Sequence, residues 1–215
     1  MSLPLKSSSR KKMSKACKAL AKLMSEPFEV IQELAELGRG YGKQQLKPRD
    51  IPSDQEILQG IEQIEEEWKW AFRVLYLYGA RPHELYGCEV LENSLMRVDE
   101  DSKTGLRIAM PRAGMQHLVQ EWDLFGNQLP GWFGANAEVP QQNVSMELTK
   151  VRNEASVTWS NYSVRHAWAI SQIKAGLNIR LASRSMGHTV REHEGTYLHW
   201  ISEQEMLEQM MQAVS

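Results

Sequence analysis

Apolar residues return at helical spacing along most of this chain, and the pattern breaks in one stretch, residues 88–110. That single interruption restricts the fold more than any other feature. It predicts a mainly α protein with a small antiparallel β-sheet, an α+β arrangement. Ala16, Leu20 and Leu23 share one face of a helix over 11–24. A second helix is expected over 28–37, stopped by Gly38 and Gly40. Ile61, Ile64, Trp68, Phe72 and Leu75 then line one face of a single helix, capped at Ser53 or Asp54 and ending near Gly79. In 88–110, Leu95, Arg97 and Asp99 alternate with Ser94, Met96 and Val98, which predicts two or three short strands with a hairpin at 101–105. Helices resume over 115–122, 143–154, 162–175, 178–186, 189–199 and 203–213, around a Gly-, Asn- and Pro-rich loop at 125–141.

Composition narrows the class. The chain has 215 residues, 42% hydrophobic and 24% charged, which suits one large domain or a domain with an appended piece. Two distant cysteines, Cys17 and Cys88, form no metal-ligand pattern and fit a reducing cytoplasm. No run is apolar enough for a membrane span, and no secretory leader is recognisable. Net charge is −2, which speaks against a polyanion binder until its distribution is considered. Residues 1–49 carry eleven Lys and Arg against four Glu; residues 50–72 carry seven acids against one Lys. Lys11, Lys12, Lys15, Lys18 and Lys22 all precede the first acid, Glu26. Such a run is either a solvated helix face or frayed tail, or a contact for a polyanion. The prolines of 47–52 mark a linker, so the expected units are a basic helical segment at 1–48, a main domain at 49–201 and a terminal helix at 202–215.

Five short pieces carry the chemistry: Arg81-Pro82-His83-Glu84-Leu85, Ser102-Lys103-Thr104-Gly105, Tyr162-Ser163-Val164-Arg165-His166, Met186-Gly187-His188 and Tyr197. Transfer of a phosphodiester needs a nucleophile, cations on two non-bridging oxygens, and an acid for the leaving alkoxide. Arg81 and Arg165 suit the clamp, since a planar guanidinium donates two charge-assisted hydrogen bonds and stays charged. Together they could do the electrostatic work of a metal ion. Tyr197 is the candidate nucleophile and needs its proton removed or its phenolate stabilised. Lys103 on a hairpin suits the acid, and His188 can hydrogen-bond the phosphate or the phenol. Glu84, one turn after Arg81, can orient its guanidinium; the plain alternative is a surface ion pair. His188, His193 and His199 are spaced five and six apart, which does not put them on one helix face as a zinc helix requires. No metal or cofactor is expected. His83, His117 and His166 read as structural, with His166 packed beneath the site.

The order and spacing of these pieces over roughly residues 50–200 resemble the tyrosine recombinases, the phage-type integrases. The run from Ser102 to Pro111 is particularly similar to the integrase β-hairpin. The resemblance implies the integrase catalytic-domain fold and cleavage of double-stranded DNA at specific sites through a 3′-phosphotyrosine link. It also implies a free 5′-hydroxyl that attacks the link in a partner duplex, and a homotetramer on DNA, with possible accessory factors. A segment beyond the tyrosine would pack on a neighbour, which residues 203–213 fit through a stripe of Met206, Leu207, Met210 and Val214. Location would be cytoplasmic, on the nucleoid.

Two features depart from that pattern. Tyr162 stands where the family usually has a His that accepts a proton or donates to the phosphate; a phenol can still donate but is a poor base near neutral pH. His188 could take over the proton. The same Tyr is similar to a cyanobacterial branch that excises elements interrupting nitrogen-fixation genes. Secondly, only about 48 residues precede the linker, fewer than the family's DNA-closing helical domain, which suggests a catalytic fragment of a longer protein. Two alternatives remain: a type IB topoisomerase that relaxes DNA with the same residue types, and an inactive integrase scaffold acting as a DNA-binding regulator.

Overall fold

The computed structural model describes residues 8–39, 51–99, 105–131, 141–197 and 200–213. They fall into two compact units, within Met1–Pro48 and within Arg49–Ser215.

The first unit is a helical hairpin of α1 (Ser8–Leu23) and α2 (Phe28–Glu36). Arg10 Nε donates to the Leu37 carbonyl at 2.9 Å, and the Ser14 hydroxyl donates to the Leu34 carbonyl. Lys11, Lys15, Lys18 and Arg39 line a cavity of about 500 Å³ between the two helices.

The second unit begins with α3 (Asp54–Glu62) and α4 (Glu66–Tyr78). The sequence predicts one helix here, and the structure has two. Ser53 caps α3 through a reciprocal box with Glu56. Glu65, Glu66 and Glu67 favour a fresh helix N-terminus, where negative charge meets the positive end of the dipole. The apolar stripe survives the break: Ile61, Ile64, Trp68, Phe72 and Leu75 are all buried. A 3₁₀ helix (Pro82–Gly87) leads into β1 (Cys88–Val90), β2 (Met96–Val98) and β3 (Arg107–Ala109), an antiparallel sheet in sequence order. Cys88 pairs with Val98, and Val98 with Arg107. The inward face holds Cys88, Val90, Met96, Val98 and Ala109, with Arg107 among them.

The rest is helical: α5 (Leu118–Glu121), α6 (Gln141–Glu154), α7 (Asn161–Lys174), α8 (Ile179–Ser185), α9 (Val190–Tyr197) and α10 (Glu203–Ala213). Helix α7 packs against α4, and three tryptophans fix the core by donating to backbone carbonyls. Trp70 reaches Leu124 at 3.0 Å, Trp159 reaches Glu56 at 3.0 Å, and Trp168 reaches Leu77 at 2.8 Å. Each buries a large ring without stranding its N–H. No helix among the described residues is long and apolar enough to cross a membrane.

Candidate active site

Helix α4 ends at Gly79 in a left-handed conformation, φ +58°, which a glycine adopts without strain. Its free carbonyl accepts from Arg165 Nη1. Arg81 follows in extended conformation and opens the 3₁₀ helix. Glu84 folds back on it: Arg81 Nη1 donates to Oε1 at 2.7 Å and the Arg81 backbone N–H donates to Oε2 at 2.7 Å. Arg107 Nη2 also donates to Oε2, at 2.8 Å. The Glu84 side chain is wholly buried, so this is a buried ion cluster and not a surface pair. Burial alone would raise the Glu84 carboxyl. The charges of Arg107 and Arg165, with the Arg81 backbone N–H and guanidinium, outweigh it and hold the carboxyl below its ordinary range.

Helix α7 supplies the second arginine. Ser160 caps it in a reciprocal box with Ser163, fixing its first turn. Arg165 is completely buried. Besides Gly79, its Nη2 donates to the Met186 carbonyl at 2.6 Å and sits 3.0 Å from His188 Nε2. Burial and the neighbouring Arg81 lower it to about 10, so it remains cationic near neutral pH. Because a guanidinium only donates, His188 Nε2 must be the acceptor, which places the imidazole proton on Nδ1. Burial, then Arg165, Arg81 and His193, lower His188 to about 3, so it is neutral.

Tyr197 closes α9 with 1% exposure. Three imidazoles surround its ring: His193 at 4.8 Å between centroids, His166 edge-on at 5.5 Å, and His188 stacked at 6.2 Å. Burial pushes the phenol up to about 12, against the opposing pull of the Arg165 and Arg81 cations. Tyr162 lies on the open side, 46% exposed, its ring 5.0 Å from His166. With Arg81, Ser145, Thr149 and Arg152 it lines a cavity of about 350 Å³.

Arg81, Glu84, Arg165, His188 and Tyr197 thus converge, from sequence positions spread over more than a hundred residues, and Tyr162 stands at the rim. Lys103, the candidate acid, lies outside the described residues. Lys11, Lys12, Lys15, Lys18 and Lys22 are all on α1 in the first unit. Among the described residues no group of His, Cys, Asp and Glu could hold a metal ion. His166 packs against Tyr197 as the sequence suggests; His193, considered there only as a metal ligand, is completely buried beside the phenol.

Arg107 has no counterpart in the sequence reading. Besides Glu84 it donates from Nε to the Ser185 carbonyl at 2.9 Å, tying β3 to the segment that carries Met186 and His188. Its signal was available: Arg107 alternates with outward Ile108 and so falls on the inward face of β3, where a cation demands a buried acid.

No protein-family model matches the chain. Excisase A of Nostoc sp. strain PCC 7120 is 26% identical over 187 residues, 72% of this chain and 39% of that protein. The chain therefore spans about two-fifths of the length of this relative. The crystal structure of XerA recombinase superposes with a TM-score of 0.54 at 17% identity, covering 93% of this chain and 74% of that one. A lambda integrase tetramer bound to a Holliday junction gives a TM-score of 0.54 at 16% identity, covering 84% of this chain and 57% of that one. The chain has the fold of these recombinase and integrase structures, with a sequence likeness to a cyanobacterial excisase.

Proposed function

We propose that this chain is the catalytic part of a site-specific DNA recombinase that cuts and rejoins strands through a 3′-phosphotyrosine at Tyr197. One observation carries the reading: two arginines from different elements, Arg81 and Arg165, each held by its own hydrogen bonds, lie close enough to the buried Tyr197 that both cations pull on its phenol. Such a clamp neutralises the phosphoryl oxygens as their charge redistributes, in a water-poor site where each interaction is strong. Tyr197 Oη attacks phosphorus, the P–O5′ bond breaks, and the 5′ oxygen leaves with a proton from Lys103. The phosphotyrosine stores the bond energy, and a 5′-hydroxyl from a partner duplex reverses the step. No metal or cofactor enters.

Residues 49–201 form the catalytic domain in this reading, and the lysines of α1 add contacts to the DNA backbone. Helix α10 exposes Met206, Leu207, Met210 and Met211. This exposed apolar face suits docking on a second copy within a DNA-bound tetramer, and favours strand exchange over a relaxing monomer. The likeness to a Nostoc excisase favours excision of a DNA element, in the cytoplasm, with accessory factors as further partners.

The test uses nicked duplexes randomised across the nick, from which the released fragment cannot be religated. The expected result is covalent capture of a defined sequence by the chain and none by Tyr197→Phe. Specific DNA binding by the wild type without any adduct would overturn the reading in favour of a regulator.

A further inference from the structure

His193 is the least explained buried group in the site. It is fully buried, and among the described residues neither Nδ1 nor Nε2 has a hydrogen-bond partner. Native proteins rarely leave buried polar atoms unpaired, and a persistent exception calls for a functional cause. Placement supplies one. His193 lies four residues before Tyr197 on α9, so the two side chains share a face of one helix. Its ring, at 4.8 Å, is nearer the phenol ring than His166 or His188.

The other groups around Tyr197 are poorly placed to take its proton. The lone pair of His188 Nε2 faces Arg165 Nη2 at 3.0 Å and is engaged as an acceptor. Tyr162 is an exposed phenol, a weak base at neutral pH. Arg81 and Arg165 are cations. His166 is shared between Tyr197 and Tyr162 and sits on α7, not on the nucleophile's helix. His193 shares α9 with Tyr197, so one helix holds both the base and the nucleophile.

We propose that His193 is the proton acceptor for Tyr197. As the Oη–P bond forms and the P–O5′ bond breaks, the phenolic proton passes to a ring nitrogen of His193, while Lys103 protonates the departing 5′ oxygen. On rejoining, the imidazolium returns its proton to the leaving phenolate. Among the described residues, the charged and titratable groups facing His193 are His188, Tyr197 and Arg165. Burial and then Arg165 lower the imidazole to about 4, so it is neutral, with both nitrogens unpaired among the described residues, but a weak base until the cation's field is offset. A phosphodiester bound to Arg165 offsets that cation's field and strengthens the base during attack. Position 162 then no longer needs a histidine. The inference rests on the recombinase reading above, with Tyr197 as nucleophile.

The experiment uses the duplex captured by the wild-type chain, made with either oxygen or sulfur at the 5′ bridging position of the scissile phosphate. A thiolate leaves without a proton, so sulfur rescues loss of an acid but not loss of a base. His193→Ala is expected to slow single-turnover adduct formation by about 10²-fold or more on both duplexes, with added imidazole restoring rate. A rate within threefold of wild type, full rescue by sulfur, or no response to imidazole in the folded variant overturns the assignment. Should His193→Ala fail to fold, His193→Gln keeps the bulk without the base, and wild-type rates in it overturn the assignment equally. If the wild type captures no duplex at all, the recombinase reading itself has failed.

Discussion

Arg81 and Glu84 are joined twice, once through the guanidinium and once through the Arg81 backbone N–H, each at 2.7 Å. The second bond fixes the main chain from which the first guanidinium projects. With Arg107 on the same carboxylate and on the Ser185 carbonyl, one buried acid sets the relation between the 3₁₀ helix, the sheet and the segment before His188.

Glu84→Gln keeps the shape but offers one oxygen where three donors converge, and leaves Arg107 buried with no counter-charge. A loss of about 3–5 kcal/mol is expected in urea unfolding. The variant that remains folded should form adduct far more slowly than wild type. Wild-type unfolding would show that the cluster contributes nothing.

Gly79→Ala tests the other anchor. A Cβ there would lie 2.8 Å from the Trp168 ring in a backbone conformation of φ +58°, and the Gly79 carbonyl holds Arg165. Gly176 has φ +70° but open space around it, so Gly176→Ala meets only backbone strain. Thermal melts should show a loss of about 1 kcal/mol for Gly176→Ala and clearly more for Gly79→Ala. Only Gly79→Ala should also slow adduct formation.

Acid should weaken the fold from the neutral side. Burial and Arg165 lower His188 to about 3 and His193 to about 4 in the folded chain, against an ordinary value of about 6.5 when unfolded. The unfolded chain therefore binds protons that the folded one refuses. Stability is full above about pH 6.5 and falls as the pH drops toward 4. Glu84, held below its ordinary range, adds its loss only at lower pH. Urea midpoints measured between pH 7 and 5 should fall, with about 1–2 kcal/mol of the change removed in His193→Gln. An unchanged slope in that variant would place the proton uptake elsewhere.

Much of this was legible in the sequence. The apolar stripe from Ile61 to Leu75 and the alternation around Met96 foretold helices beside a short sheet, because burial enforces those periods. The stripe could not show that the helix breaks before Glu66, since Ile64 stays buried through the break. Residue type and order singled out Arg81, Arg165, His188 and Tyr197. What they could not show was orientation: Arg165 turns inward to two carbonyls, and the phenol lies buried among imidazoles. Arg107 went unassigned although its place on the inward face of β3 hinted at a buried acid, and His193 was weighed only as a metal ligand, because its neighbour Tyr197 is brought close by the fold.

The central claim is that Tyr197, and not the exposed Tyr162 at the cavity rim, bonds to DNA. Protease and nuclease digestion of the trapped adduct, followed by fragmentation mass spectrometry, reads the linkage directly. The account predicts a nucleotide attached through a 3′ phosphate to Tyr197. A linkage on Tyr162 or any other residue would contradict it.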